Sequence, residues 1–118
     1  MLLLVSVLAA TAISAAPARR LIAASVNGIV LVDPNSGEII RRLTNHNDRR
    51  PLWSPDRQQV AFARGYLNSL EIHVVPRNGS RQLMLTNNDK VDQWPSWSPD
   101  STRIAVKRWD NNSGDDGE

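Results

Sequence analysis

Serine, histidine and aspartate together can build a nucleophile, and this chain offers few ways to assemble one. Ser54 and Ser98 each stand two residues before an aspartate, Asp56 and Asp100, inside identical Trp-Ser-Pro-Asp tetrads at 53–56 and 97–100. A serine nucleophile needs a histidine base and is often presented on a Gly-x-Ser-x-Gly turn, and neither serine has that setting. Of the two histidines, His73 lies inside the β-branched run LEIHVV, which predicts a side chain on a sheet surface. His46 lies in the polar stretch TNHND, two residues before Asp48. Asp110-x-Asn112 begins like a calcium loop, but the pattern fails at Gly114, in the fifth position. Asn78-Gly79-Ser80 and Asn111-Asn112-Ser113 match the glycosylation triplet. With no cysteine, no paired carboxylates at a defined spacing and no phosphate-cradling glycine loop, the expectation is a non-enzyme without cofactor or metal.

The tetrads are better explained as architecture. They recur 44 residues apart, and the match extends well beyond them. DRRPLWSPDRQQVAF (48–62) lies on DQWPSWSPDSTRIAV (92–106) without a gap, pairing Asp48 with Asp92, Pro51 with Pro95 and Trp53 with Trp97. Upstream, LTNHND (43–48) matches LTNNDKVD (85–92) with two residues inserted, and IVLVDPNSG (29–37) resembles IHVVPRNG (72–79). A period of 42–44 residues is that of a four-stranded propeller blade.

One unit reads as short strands divided by turn signals. QVAFAR (59–64), LEIHVV (70–75), SRQLMLT (80–86) and QWPSWS (93–98) are the candidate strands. Pro76-Arg77-Asn78-Gly79 is a turn, with proline presetting φ and Asn-Gly tolerating positive φ. Pro95 lacks an N–H for a ladder and predicts a strand end or an edge strand. In each tetrad the proline sets a tight corner, and the oxygens of Ser54 and Asp56, or Ser98 and Asp100, are placed to accept local backbone N–H groups around Pro55 and Pro99. Each tryptophan supplies ~150–250 Å² for burial between neighbouring sheets.

Residues 2–16, LLLVSVLAATAISAA, carry no charge and precede Pro17-Ala18-Arg19-Arg20. That length suits a secretory leader better than a span of ~20 apolar residues. The expectation is a leader over 1–18, periplasmic or secreted localisation, and membrane contact only through an uncleaved leader. Twelve of the 14 basic residues are arginine, spread between strands and turns rather than gathered on one face with aromatics, which argues against a nucleic-acid partner.

The order D-x-x-P-x-W-S-P-D, apolar strand, I/V-x-V strand, Asn-Gly turn and Leu-Thr resembles the WD-repeat-like blades of TolB-type β-propellers. Those blades are related to the propeller domains of prolyl-oligopeptidase-like peptidases. The resemblance implies an all-β partial propeller of about two to three four-stranded antiparallel blades over 19–118, with units near 21–50, 51–94 and 95–118. Because a propeller closes with roughly 4–8 blades, the chain is expected to be a piece of a longer one or to self-associate through open blade edges. The resemblance also implies a non-catalytic module that binds a protein of the cell envelope through loops on one face. Those loops would carry Asn45, His46, Asn47, Arg49 and Arg50, and Asn87, Asn88, Asp89 and Lys90. The alternative it implies is the propeller portion of a secreted serine peptidase. One departure stands out: the family usually places glycine after Ser-Pro-Asp, where this chain has Arg57 and Ser101.

Overall fold

The computed structural model describes residues 1–7, 20–66 and 68–110. Among the described residues there are ten strands and no helix: β1 (Leu2–Ser6), β2 (Ile22–Ser25), β3 (Ile29–Val32), β4 (Ile39–Arg42), β5 (Arg49–Trp53), β6 (Gln59–Tyr66), β7 (Ser69–Pro76), β8 (Leu83–Met84), β9 (Val91–Trp97) and β10 (Arg103–Trp109). They form three antiparallel sheets, ordered β2-β3-β4, β5-β6-β7-β8 and β1-β10-β9. The all-β expectation holds at this level.

The apolar pattern explains the stacking. β6 and β7 are buried along most of their length, because the second sheet is covered on both faces. On one side Val60, Phe62 and Val75 meet Leu21, Ile29, Leu31 and Leu43 of the first sheet and its flanks. On the other, Ala61, Ala63, Ile72 and Val74 meet Ile104 and Val106 of the third sheet, with Val7 beside them. Trp53 packs against the first of these clusters and Trp97 against the second, so the two indoles occupy like places between sheets. Their hydrogen bonds differ in origin. Trp53 Nε1 donates to the Leu21 carbonyl at 3.0 Å, just ahead of β2, whereas Trp97 Nε1 donates to Leu52 in β5 at 3.2 Å.

The two corners repeat bond for bond. Ser54 Oγ donates to Asp56 at 2.6 Å and accepts the Gln59 N–H at 3.1 Å; Ser98 Oγ donates to Asp100 at 2.6 Å and accepts the Arg103 N–H at 3.0 Å. Arg57 N–H reaches the Ser54 carbonyl at 2.8 Å, and Ser101 N–H the Ser98 carbonyl at 3.0 Å. The position that the resemblance assigns to glycine is left-handed in both copies, with φ of 61° at Arg57 and 63° at Ser101. The Pro76–Gly79 turn closes as expected, Gly79 N–H bonding the Pro76 carbonyl at 2.9 Å with φ of 75°. Pro51 and Pro95 lie in β5 and β9, each the edge strand of its sheet.

Three features differ from the sequence reading. The stretch 93–98 is not a fourth strand of the second sheet, and that place belongs to β5. The corner between each tryptophan strand and its successor is short enough to force the two to pair antiparallel, so β9 begins a new sheet with β10. Of SRQLMLT, only Leu83 and Met84 pair, opposite Val74 and His73. Within the expected leader, Leu2–Ser6 is a strand hydrogen-bonded to β10, while residues 8–18 lie outside the described residues. The triplet 111–113 and most of the calcium-like stretch lie outside them as well.

Truncating either wedge leaves a void between sheets. Trp53→Ala and Trp97→Ala are each expected to cost about 3 kcal/mol, read from urea denaturation monitored by far-ultraviolet circular dichroism. The phenylalanine variants should lose less, since only the indole bond and part of the volume go.

Candidate interaction surface

Both Asp-x-x-Pro stretches start from a buried aspartate. Asp48 and Asp92 are fully buried, and each accepts two bonds from an arginine on the adjacent strand. Arg64 Nε and Nη2 reach Asp48 at 2.7 and 2.8 Å, and Arg108 Nε and Nη2 reach Asp92 at 2.6 and 2.8 Å. Arg64 and Arg108 are again 44 residues apart, just past the stretch that the sequence comparison matched. Extending the match by two residues would have found them.

The Leu-Thr pairs complete these anchors. Thr44 Oγ1 accepts the Ile29 N–H at 2.8 Å at the start of β3, and Thr86 Oγ1 accepts the Ile72 N–H at 2.9 Å within β7. Thr86 also donates to buried Glu71 at 2.5 Å. Asn88 belongs to this scaffold rather than to a free loop. Its backbone N–H bonds Glu71 at 2.8 Å, its amide donates to Asp92 at 2.8 Å, and its side-chain oxygen accepts the Lys90 N–H at 2.9 Å.

Burial would by itself raise the pKa of Asp48 and Asp92, but bonds from Arg64 and Thr44, and from Arg108, Asn88 and Thr86, outweigh it and hold both below the ordinary carboxylate value. His73 is a correction to the sheet-surface expectation. Its ring is buried and stacked on Phe62 at 5.5 Å, and burial, then the Arg64 charge, push its pKa below the ordinary value.

Two residues after each aspartate the backbone turns left-handed, at Arg50 (φ 54°) and Trp94 (φ 55°). The β5–β6 ladder shifts register between Arg49 and Leu52, and the β10–β9 ladder shifts between Ala105 and Lys107. Such bulges re-aim side chains. Here they bring equivalent positions of neighbouring sheets together: the Arg50 guanidinium lies 3.8 Å over the Trp94 ring and also donates to Gln93. Trp94 remains 56% exposed. Sequence reading treated it as a strand residue, because the two positions carry unlike residue types and a search for matches passes over them. Of the other loop residues expected to face a partner, Asn45, His46, Asn47, Asn87 and Asp89 are exposed, Arg49 is half-buried, and Lys90 is ion-paired with Asp110. Exposed Tyr66 ends β6, and Trp109 ends β10 with Lys107 4.6 Å from its ring.

The tetrad residues end up at the opposite ends of these strands, committed to their corners. An open cleft of about 570 Å³ between β2 and β5 is lined mainly by apolar residues, among them Ile22, Ala23, Leu52 and Trp53, with Arg20 and Arg57 at its side. No three histidine, aspartate or glutamate side chains gather as a metal site among the described residues. No protein-family model matches this chain, and no curated protein matches it.

Two predictions concern the anchors. Asp92→Ala leaves the Arg108 guanidinium without its partner and is expected to cost about 3 kcal/mol in urea denaturation. Acid should act in two stages. A histidine with a depressed folded-state pKa opposes folding as pH falls below its ordinary value of 6.5. The two aspartates stabilise fully above their ordinary value of 3.8, and that contribution is lost as pH falls through and below it. His73→Val should therefore flatten stability between pH 6.5 and 5 while leaving the loss near pH 4 in place.

Proposed function

We propose that this chain is a non-catalytic protein-binding module, a TolB-like partial β-propeller of the periplasm or the secreted space, with a protein of the cell envelope as partner. Three sheets stacked through repeated tryptophan corners support the propeller reading. The reading of residues 1–18 as a leader and the cell-envelope location rest on the sequence pattern alone.

The observation that carries the binding role is the Arg50–Trp94 stack. Arginine, tryptophan and tyrosine are the residues that most often dominate protein interfaces, since they offer large rigid surfaces with a polar handle. Two of them are held here on left-handed backbone that any glycine would adopt at less strain, on a scaffold of buried ion pairs. Serine and histidine chemistry has no place in this reading: Ser54 and Ser98 serve their turns, and His73 serves the interior.

The test starts from capture of a partner out of a cell-envelope extract and proceeds to direct titration with that partner purified. Trp94→Ala and Arg50→Ala should each weaken binding at least tenfold, about 1.4 kcal/mol. Arg81→Ala, in the turn before β8, should leave it unchanged. Equal affinity for wild type and Trp94→Ala would refute this surface as the binding face.

A further inference from the structure

In each sheet one strand carries a mostly apolar quartet set in the same register against its neighbour. In the first sheet Ile29-Val30-Leu31-Val32 lies opposite Ser25-Ala24-Ala23-Ile22. In the second, Ile72-His73-Val74-Val75 lies opposite Ala63-Phe62-Ala61-Val60. In the third, the quartet is Leu2-Leu3-Leu4-Val5, opposite Lys107-Val106-Ala105-Ile104. Those four partners stand 44 residues after Ala63, Phe62, Ala61 and Val60, so β1 occupies beside β10 the place that β7 occupies beside β6.

The fit extends to the side chains. Leu3 packs on the core cluster between the second and third sheets, and Val7 is buried in it. Val7 N–H continues the pairing to the Thr102 carbonyl at 2.6 Å. Residues 111–118, NNSGDDGE, contain no apolar side chain of the kind that Leu3 and Val7 supply here. The edge of β10 is thus a slot for an apolar third strand, filled by a segment from the far end of the sequence.

We propose that the edge of β10 is a strand-acceptor site selective for an extended segment bearing an apolar quartet, held in cis by Leu2–Val5. When that segment is displaced or removed, the site takes another peptide of the same class by adding it to the sheet. Main-chain bonds to β10 supply affinity, and alternate side chains facing the second sheet supply selectivity. The residues read as a leader are the same ones that fill the slot, so their removal would uncover a paired edge whose neighbours, Ile104 and Val106, are otherwise fully buried. This inference is independent of the TolB-like reading.

The test uses the full chain carrying Leu3→Asp and Val5→Asp, which puts two charges against the apolar core and expels β1. A fluorescent peptide of sequence LEIHVV, flanked by lysines for solubility, is titrated by anisotropy. The double variant should bind it with one-to-one stoichiometry and at least tenfold more tightly than wild type does. It should bind at least tenfold more weakly a peptide with aspartates in place of the histidine and the final valine. Equal binding by wild type, or equal binding of the control peptide, would overturn the proposal. Should the double variant fail to fold, Leu4→Cys with Ala105→Cys decides in the otherwise cysteine-free chain. Oxidation is expected to give an intramolecular disulfide in the monomer, and no cross-link, or disulfide-linked dimers instead, would overturn the cis assignment.

Discussion

The arrangement at the loop end depends on two carboxylates taken wholly out of water. An isolated buried charge of that kind would cost several kcal/mol, and a fork of two charge-assisted bonds from one guanidinium is among the few arrangements that offset it. Asp48 and Asp92 each have that fork, from Arg64 and Arg108, and hydroxyl or amide donors beside it. Because aspartate and arginine sit on adjacent strands, the fork also fixes how β5 meets β6 and how β9 meets β10. The bulge that follows each aspartate then has one place to form, and Arg50 and Trp94 emerge where they can touch. The first sheet has no such fork among the described residues. It is tied to the second through Ser25, whose hydroxyl donates to the Asp48 carbonyl at 2.5 Å.

Much of this was legible because several motifs act locally. Trp-Ser-Pro-Asp closes its own corner and Asn-Gly makes its own turn, so each could be read from a few residues. What was hidden depended on partners distant in sequence. Arg64 and Arg108 look like surface arginines at strand ends until their aspartates are seen across the ladder. Arg50 and Trp94 occupy one repeat position with unlike side chains, and a comparison that rewards identity passes over them. The apolar run at the N terminus posed a different difficulty. Leu2–Ser6 has the composition of a leader and equally that of a strand covered on one face, and periodicity alone does not separate the two. In the structure alternate residues of β1 face the core and solvent, as in a sheet edge.

The left-handed corner residues show why the departure from glycine is tolerated. A non-glycine residue at positive φ costs roughly 1 kcal/mol, which glycine would avoid. Arg57 uses its side chain to reach back to the preceding sheet, donating to the Leu21 carbonyl at 2.5 Å and lying 4.8 Å over the Trp53 ring. Ser101 does the same from the next sheet, its hydroxyl accepting the Asp56 N–H at 3.0 Å while it is almost fully buried. One net hydrogen bond is worth about 1 kcal/mol. Local strain and inter-sheet bonding are therefore of similar size and opposite sign at both corners. The side chain that strains its own turn is the one that fastens that turn to the sheet before it.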